Sequence, residues 1–324
     1  MNIKSNKWTS ENSLAFAALL FVSAIWGLHG VFGKSIGDRI EPFPLTLLRF
    51  TAFALFFLPW YSNLGFILRR SKTIFLQIVI SGLCFSILFP VFFYKSLMLL
   101  TPVTVLMLVS ISPFFATLIE RYCFNERIPS KTWVGMLVSL LGAAVLIIDQ
   151  WSEAASTRGI VYGLISSAAF AVYTASSRKL FQTLPFRDVL MATSVVGTIG
   201  LWMIAPFVGG IQAAVLSLSY FQPIDWAELA FIVFLVSLLG YVLNGYGLKR
   251  LPAGIASSLT LYPQPIFAAA AQWVWLGTAA SPSTLLSAVL IFGGTAIMRS
   301  SSKNLVNKAD GTVPLRRPHP LKQS

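Results

Sequence analysis

Ten apolar stretches, each about long enough to cross a bilayer, fill almost the whole of this 324-residue chain. They run over 14–34, 44–61, 73–98, 101–120, 132–148, 159–178, 189–209, 226–247, 252–275 and 282–298. The stretch 210–225 is also apolar but is broken by Gly209, Gly210 and Pro223, and it reads as an interfacial segment after the seventh span. The first span follows Lys4 and Lys7 like a signal peptide, yet its apolar run is too long for a signal core. No small-residue cleavage site follows it, so it reads as a retained helix.

Hydrophobic residues make up 56% of the chain and charged residues only 11%. A soluble domain could not hide that much apolar surface from water. In lipid every backbone polar group must be satisfied internally, which leaves helices or a closed barrel. Barrel strands would show alternating residues in runs of about ten. Continuous runs such as Leu14–Gly33 and Thr101–Ile119 predict helices. The expected fold class is therefore all-α integral membrane.

The net charge of +13 does not indicate nucleic acid, because the cations sit between spans and in the C-terminal tail. One side of the membrane would carry Lys4, Lys7, Arg69, Arg70, Lys72, Arg121, Arg127, Lys131, Arg178, Lys179, Arg187, Lys249 and Arg250, with six more in the tail. The other side would carry Lys34, Arg39 and Arg158. This 19-to-3 split predicts that both termini (residues 1–13 and the tail 299–324) are cytoplasmic, and it requires an even number of spans. The tail, with Pro314, Pro318 and Pro320, reads as basic and disordered. Cys84 and Cys123 lie in or beside apolar segments and suggest neither a disulfide nor a metal site.

The chain repeats itself. Pro113-Phe114-Phe115-Ala116 reads like Pro265-Ile266-Phe267-Ala268, and Gly142-Ala143-Ala144 falls on Gly294-Thr295-Ala296 at the same offset of 152. Two halves of five helices follow, 14–148 and 159–298, and an odd number per half orients them oppositely. Ala24-Ile25-Trp26-Gly27, Pro44 and Arg49, the Pro113 helix, and the Asn125-Glu126-Arg127 turn before Trp133-Val134-Gly135 then carry a resemblance. The chain resembles the drug/metabolite transporter superfamily, EamA type, over about 285 residues, more weakly from Gly163 to Met298. The resemblance implies ten transmembrane helices in two inverted five-helix repeats, in a bacterial inner membrane. It also implies export of small metabolites, amino acids included, by alternating access. Thr278 stands opposite Glu126, so a role needing that acid in both halves is not implied.

A charge at the bilayer centre costs about 2.5–3.5 kcal/mol on insertion scales and calls for a reason. His29, Arg49 and Lys95 fall at similar depth on three helices of the first half, with no acid in those spans. They read as a basic vestibule for a carboxylate or other anion, with Arg49 binding substrate. The alternatives are snorkelling for Lys95, a pair with Glu41 or Asp38 for Arg49, and plain packing for His29. Trp26 and Tyr173 occupy corresponding places in the two halves, and Tyr94, Tyr241, Asn244, Tyr262 and Gln264 complete the candidate substrate site. Tyr246 is a further candidate, and packing or interfacial anchoring is the alternative for these aromatics.

Pro90, Pro113, Pro263 and Pro265 each remove a backbone donor and free a carbonyl four residues earlier, on Ser86, Val109, Leu259 and Leu261. Pro113 and Pro265 read as gating kinks. Glu120 and Glu126, with Arg121 and Arg127, read as ion pairs holding an inner gate or as a solvated charge run. Gly33/Gly37 and Gly159/Gly163 have the spacing of close helix contacts.

The rivals are a membrane-embedded enzyme and a sensor. There is no pair of Asp at depth, no metal-ligand spacing and no P-loop, so neither a cofactor nor ATP is expected. What remains is secondary transport of a small-molecule substrate across a lipid bilayer, as monomer or homodimer. Proton coupling, with His29 as the titrating group, stays open.

Overall fold

The computed structural model describes residues 10–150, 156–276 and 282–311. These are helical with short connections, and no strand occurs among them. In chain order the helices are α1 (Ser10–Ile36), α2 (Pro42–Phe56), α3 (Leu58–Arg69) and α4 (Lys72–Leu99). Then come α5 (Pro102–Tyr122), α6 (Ser130–Gln150), α7 (Thr157–Phe181), α8 (Phe186–Val208) and α9 (Gly210–Ser219). The last are α10 (Pro223–Arg250), α11 (Ala253–Leu261), α12 (Gln264–Leu276) and α13 (Pro282–Gly311). Among the described residues six of these, α1, α4, α5, α7, α8 and α10, are long and apolar enough to cross a membrane, and α2 with α3 adds a seventh if the bent pair is one span.

Local chemistry sets the starts. Ser71, Thr101 and Ser156 cap α4, α5 and α7 by accepting from the backbone N–H groups of Ile74, Thr104 and Gly159 at 3.1, 3.3 and 3.3 Å. Such caps contribute about 1 kcal/mol each. Proline opens α2, α5, α10 and α13, where the missing N–H costs nothing.

Two expected spans are broken. The span expected at 44–61 ends as a helix at Phe56, and the axis turns by 72° into α3. Pro59 is the cause: it denies the carbonyl of Leu55 its partner, and a tight Phe57-to-Ala54 turn replaces it (2.9 Å). The span expected at 252–275 is divided at Tyr262 and Pro263 into α11 and α12. Its counterpart α5 is interrupted at Ser110 and Ile111, just before Pro113. The expected interfacial stretch is the short helix α9, entered through Gly209 in the left-handed region (φ 64°) and seated on α2 beside Phe43.

The helices α4 and α10 are both 28 residues long. Their starts (72 and 223) and ends (99 and 250) share one offset of 151. Each contains a π-helical stretch, Cys84–Leu88 in α4 and Phe231–Leu239 in α10. The two helices with the most extensive mutual packing are α6 and α13. Gly135, Gly142 and Gly294 bring them close, since a Cβ at any of these would fall within 2.8 Å of the neighbour. The last helix continues to Gly311, past the expected span end at 298, so 299–311 is helical where disorder was expected. Lys4, Lys7, Gly277, Thr278 and residues 312–324 lie outside the described residues.

Candidate functional site

Arg49 is among the largest fully buried side chains of the described residues, 1% exposed. It projects from α2 and makes three hydrogen bonds. Its Nε donates to the Ser237 hydroxyl at 2.6 Å, Nη1 to Tyr94 Oη at 3.1 Å and Nη2 to Tyr241 Oη at 3.3 Å. The guanidinium carbon also lies 5.3 Å from the Phe50 ring centre and 5.7 Å from that of Tyr241, within cation–π range. No ion pair engages it among the described residues. The expected alternative, a pair with Glu41 or Asp38, is absent there; Arg39 instead pairs with buried Asp225 at 2.7 Å.

The π stretch of α10 supplies the acceptors. Ser237 donates to the carbonyl of Ile232, five residues back (2.8 Å), and so keeps its lone pairs for Arg49. One residue earlier, the carbonyl of Val236 accepts from Trp26 Nε1 at 3.0 Å. Gly240 makes room for the indole: a Cβ there would lie 2.5 Å from Trp26 Nε1. Tyr94 links two of the expected residues. Its oxygen accepts from Arg49, and its single hydrogen suits His29 Nε2, 2.8 Å away. That pattern fits a neutral imidazole, which also stacks on Phe93 with ring centres 5.1 Å apart.

These groups border a cavity lined by Trp26, His29, Arg49, Tyr241 and Gln264 on its polar side, with Phe89, Phe93, Leu106, Val109, Val236 and Leu261 around them. The free volume is about 10 Å³, near the threshold for one water molecule. The centre is closed down and holds no room for a metabolite. The proline kinks abut it. The Ser110 hydroxyl sits between the carbonyls of Leu106 (2.8 Å) and Leu261 (3.1 Å), and Ser167 donates to that of Val109 (3.4 Å), so a serine of another helix stands at each of the two carbonyls expected from Pro265 and Pro113.

The remaining expected residues divide. Tyr173 is fully buried one layer away, stacked on Phe85 at 4.4 Å, and Phe85 in turn touches Tyr241 at 4.5 Å. Asn244 accepts from Thr260 (3.3 Å) and Tyr262 is buried, but neither lines the cavity. Lys95 is exposed on the outside of the bundle, 5.6 Å from the Phe92 ring and 5.7 Å from Tyr162, so the basic cluster reduces to His29 and Arg49. Ser237 and the Phe85–Phe89–Phe93 face of α4 were not expected; a lone hydroxyl in the apolar run Phe231–Leu239 is the signal for the first.

The end of α5 carries a second polar assembly. Glu120, 1% exposed, accepts from the N–H groups of Ala253 and Gly254 (2.6 and 3.1 Å), the open N-terminus of α11. Arg178 Nε stands 3.3 Å from the same carboxylate, and its Nη1 donates to the carbonyl of Leu248 at 2.9 Å. Four helices, α5, α7, α10 and α11, are tied at this point. Glu126 is more loosely held, by Gln182 at 3.3 Å, and Arg121 and Arg127 are exposed.

The EamA-like transporter family matches this chain twice, over residues 13–148 and 157–300. The chain belongs to that family. It is a multi-pass membrane protein with transporter relatives. The biotin transporter of Escherichia coli (strain K12) is 22% identical over 240 residues, 74% of this chain and 77% of that protein. A probable terminal-alkyne amino-acid exporter of Streptantibioticus cattleyicolor is 26% identical over 215 residues, 66% of this chain and 69% of the other. The uncharacterized transporter YdfC of Bacillus subtilis (strain 168) is 25% identical over 188 residues; the match spans 58% of this chain and 59% of that protein's length. This EamA chain also shares its fold with a solved crystal structure, at TM-score 0.63 and 19% identity, over 91% of this chain and 99% of that one.

Proposed function

We propose that this chain is a secondary transporter that moves small carboxylate-bearing metabolites, amino acids or related compounds, out of the cell by alternating access. The observation that carries the reading is Arg49: a guanidinium on a cavity wall at the centre of the bundle, with three of its five donors used and no carboxylate beside it. Removing a charge from water without a counter-ion is costly, so membrane proteins keep such groups chiefly where a substrate or ion supplies the opposite charge. The names of the relatives, a biotin transporter and an amino-acid exporter, support a carboxylate-bearing substrate over a membrane-embedded enzyme or sensor.

The architecture in this reading is ten helices in two inverted repeats, with both termini cytoplasmic. Three pairings support it. The helices α4 and α10 match in length and in their π stretches. The breaks before Pro113 and Pro265 meet through Ser110 and Leu261. Lys34 donates to the carbonyl of Leu97 (2.5 Å) as Arg178 does to that of Leu248 (2.9 Å), and Leu97 and Leu248 share the offset of 151. In the inverted arrangement these cations clasp opposite faces of the membrane. Glu120 adds a carboxylate to the cytoplasmic clasp, which makes that end the closed gate, with Pro113 and Pro265 as the kinks about which it opens.

Purified protein in liposomes loaded with amino acids and other carboxylates tests the function, with efflux followed with and without a pH gradient. Saturable efflux of at least one carboxylate is expected, and a gradient effect would assign proton coupling. Efflux no faster than from empty liposomes for every compound would refute the proposal.

A further inference from the structure

The cavity beside Arg49 presents hydrogen-bond donors to an incoming molecule and almost no acceptors. The carbonyls on its wall are already taken. Phe89 O accepts from Ser166 (3.0 Å), Val109 O from Ser167 (3.4 Å) and Val236 O from Trp26 (3.0 Å), while Leu261 O (3.1 Å) shares the one hydroxyl hydrogen of Ser110 with Leu106 O (2.8 Å). Pro113, Pro265 and the π turn would otherwise leave those of Val109, Leu261 and Val236 open, and in all four cases the donor comes from another helix. No Asp or Glu lines the cavity. The buried carboxylates are engaged elsewhere: Glu120 with the α11 N-terminus and Arg178, Asp225 with Arg39 and the N–H of Gln222, Asp188 with Arg187 at 3.5 Å, and Glu228 with Ser35. Gln264 donates its Nε2 to Thr260 (2.9 Å), which leaves Oε1 as a single neutral acceptor.

An ammonium group brings three donors and a full positive charge. Here it would meet one amide oxygen and the Tyr241 hydroxyl, already bound to Arg49. Aromatic faces can hold a cation. The Tyr241 face, however, already serves Arg49, and a second cation on the Trp26, Phe89 or Phe93 faces is repelled by the guanidinium in the same low-dielectric space. A carboxylate meets the opposite situation: a guanidinium with two spare N–H groups, and Trp26, Phe89, Phe93, Leu106 and Val109 to cover an apolar body.

Building on the carboxylate reading above, we infer that this site selects monoanionic carboxylates with an apolar body and no free ammonium group, and discriminates against zwitterionic amino acids. The Gln264 oxygen then accepts from a hydroxyl or amide N–H on such a substrate.

Matched pairs that differ only in the amino group test this directly. Titrating the purified full-length protein calorimetrically with 4-methylpentanoate against leucine, and 3-phenylpropanoate against phenylalanine, gives dissociation constants for each, and 2-phenylethylamine serves as the cation alone. The expected result is at least roughly tenfold tighter binding of each acid lacking the ammonium, the cost of about 1.4 kcal/mol or more for the mismatched charge. The amine should not bind, and both Arg49→Gln and Arg49→Lys should weaken the acids. Amino acids that bind as tightly as their partners, and lose affinity in Arg49→Gln, would overturn the discrimination while leaving the carboxylate reading standing. Binding of the amine alone, or of neither series, would overturn both.

Discussion

Arg49 and Ser237 lie 188 positions apart, yet the Nε–H of one meets the hydroxyl of the other at 2.6 Å in the interior of the bundle. The bond joins α2 of one half to the π stretch of α10 in the other. Replacing Ser237 with Ala strands a charged, buried donor, an expected loss of about 1–3 kcal/mol. Ser237→Thr keeps the oxygen and should stay near wild type. Thermal unfolding in detergent measures both; equal stability of Ser237→Ala and wild type would mean that this bond carries no weight.

Gly240 and Trp26 form a second cross-bundle dependence. The Cβ of Gly240→Ala would stand 2.5 Å from Trp26 Nε1 and push the indole off the Val236 carbonyl. Overpacking of this kind costs about 1–3 kcal/mol. Trp26→Phe shortens the ring system and should recover part of that loss, so the two substitutions should be non-additive in a double-mutant cycle. Strict additivity of the two stabilities would show that the contact is not what makes Gly240 necessary.

The two acids near the end of α5 should behave differently. Glu120→Gln removes the charge that holds the α11 N-terminus and Arg178. A charge-assisted contact worth about 1.5 kcal/mol shifts a two-state equilibrium roughly tenfold. The reporter is Ser257→Cys, on buried α11, with Cys84 and Cys123 replaced by Ala. Its thiol modification from the Glu120 end of the bundle should accelerate by about that factor. Glu126→Gln keeps an oxygen for Gln182 and should change labelling and transport little. Equal effects of the two substitutions would remove Glu120 from the gate.

Lys95 shows where the sequence stops informing. Its depth is readable from its place in the third span, and so is that of Tyr94 beside it. Consecutive helical residues point about 100° apart, however, and depth says nothing of which one faces inward. Tyr94 is 1% exposed and binds Arg49 and His29, whereas Lys95 faces outward. Lys95→Ala should therefore leave transport within about twofold of wild type, as most exposed substitutions do. A loss comparable with that of an Arg49 variant would contradict the placement.

The helical membrane class and the solitary Arg49 were legible because composition and a lone charge in an apolar run are local signals. The carbonyl of Val109 was also legible as free, from Pro113 alone. Its partner Ser167 was not, since nothing local marks a serine 58 positions away as its donor. The same holds for Ser237 and Arg49. The bend after Phe56 was missed because Pro59 sits near the end of an apolar run, where hydropathy continues although the helix does not. Disorder was expected over 299–324 from its cations and from Pro314, Pro318 and Pro320; α13 runs on to Gly311, and those prolines lie outside the described residues.

Transport of an apolar monocarboxylate by wild type, Arg49→Gln and Arg49→Lys, reconstituted at equal density, tests the central claim most directly. Both variants lose bonds to Ser237, Tyr94 and Tyr241, so rates are compared per folded, monodisperse protein; on that basis initial rates should fall by at least about tenfold, because neither side chain reproduces the planar, always-charged fork. Initial rates in Arg49→Gln equal to those of wild type would contradict the account.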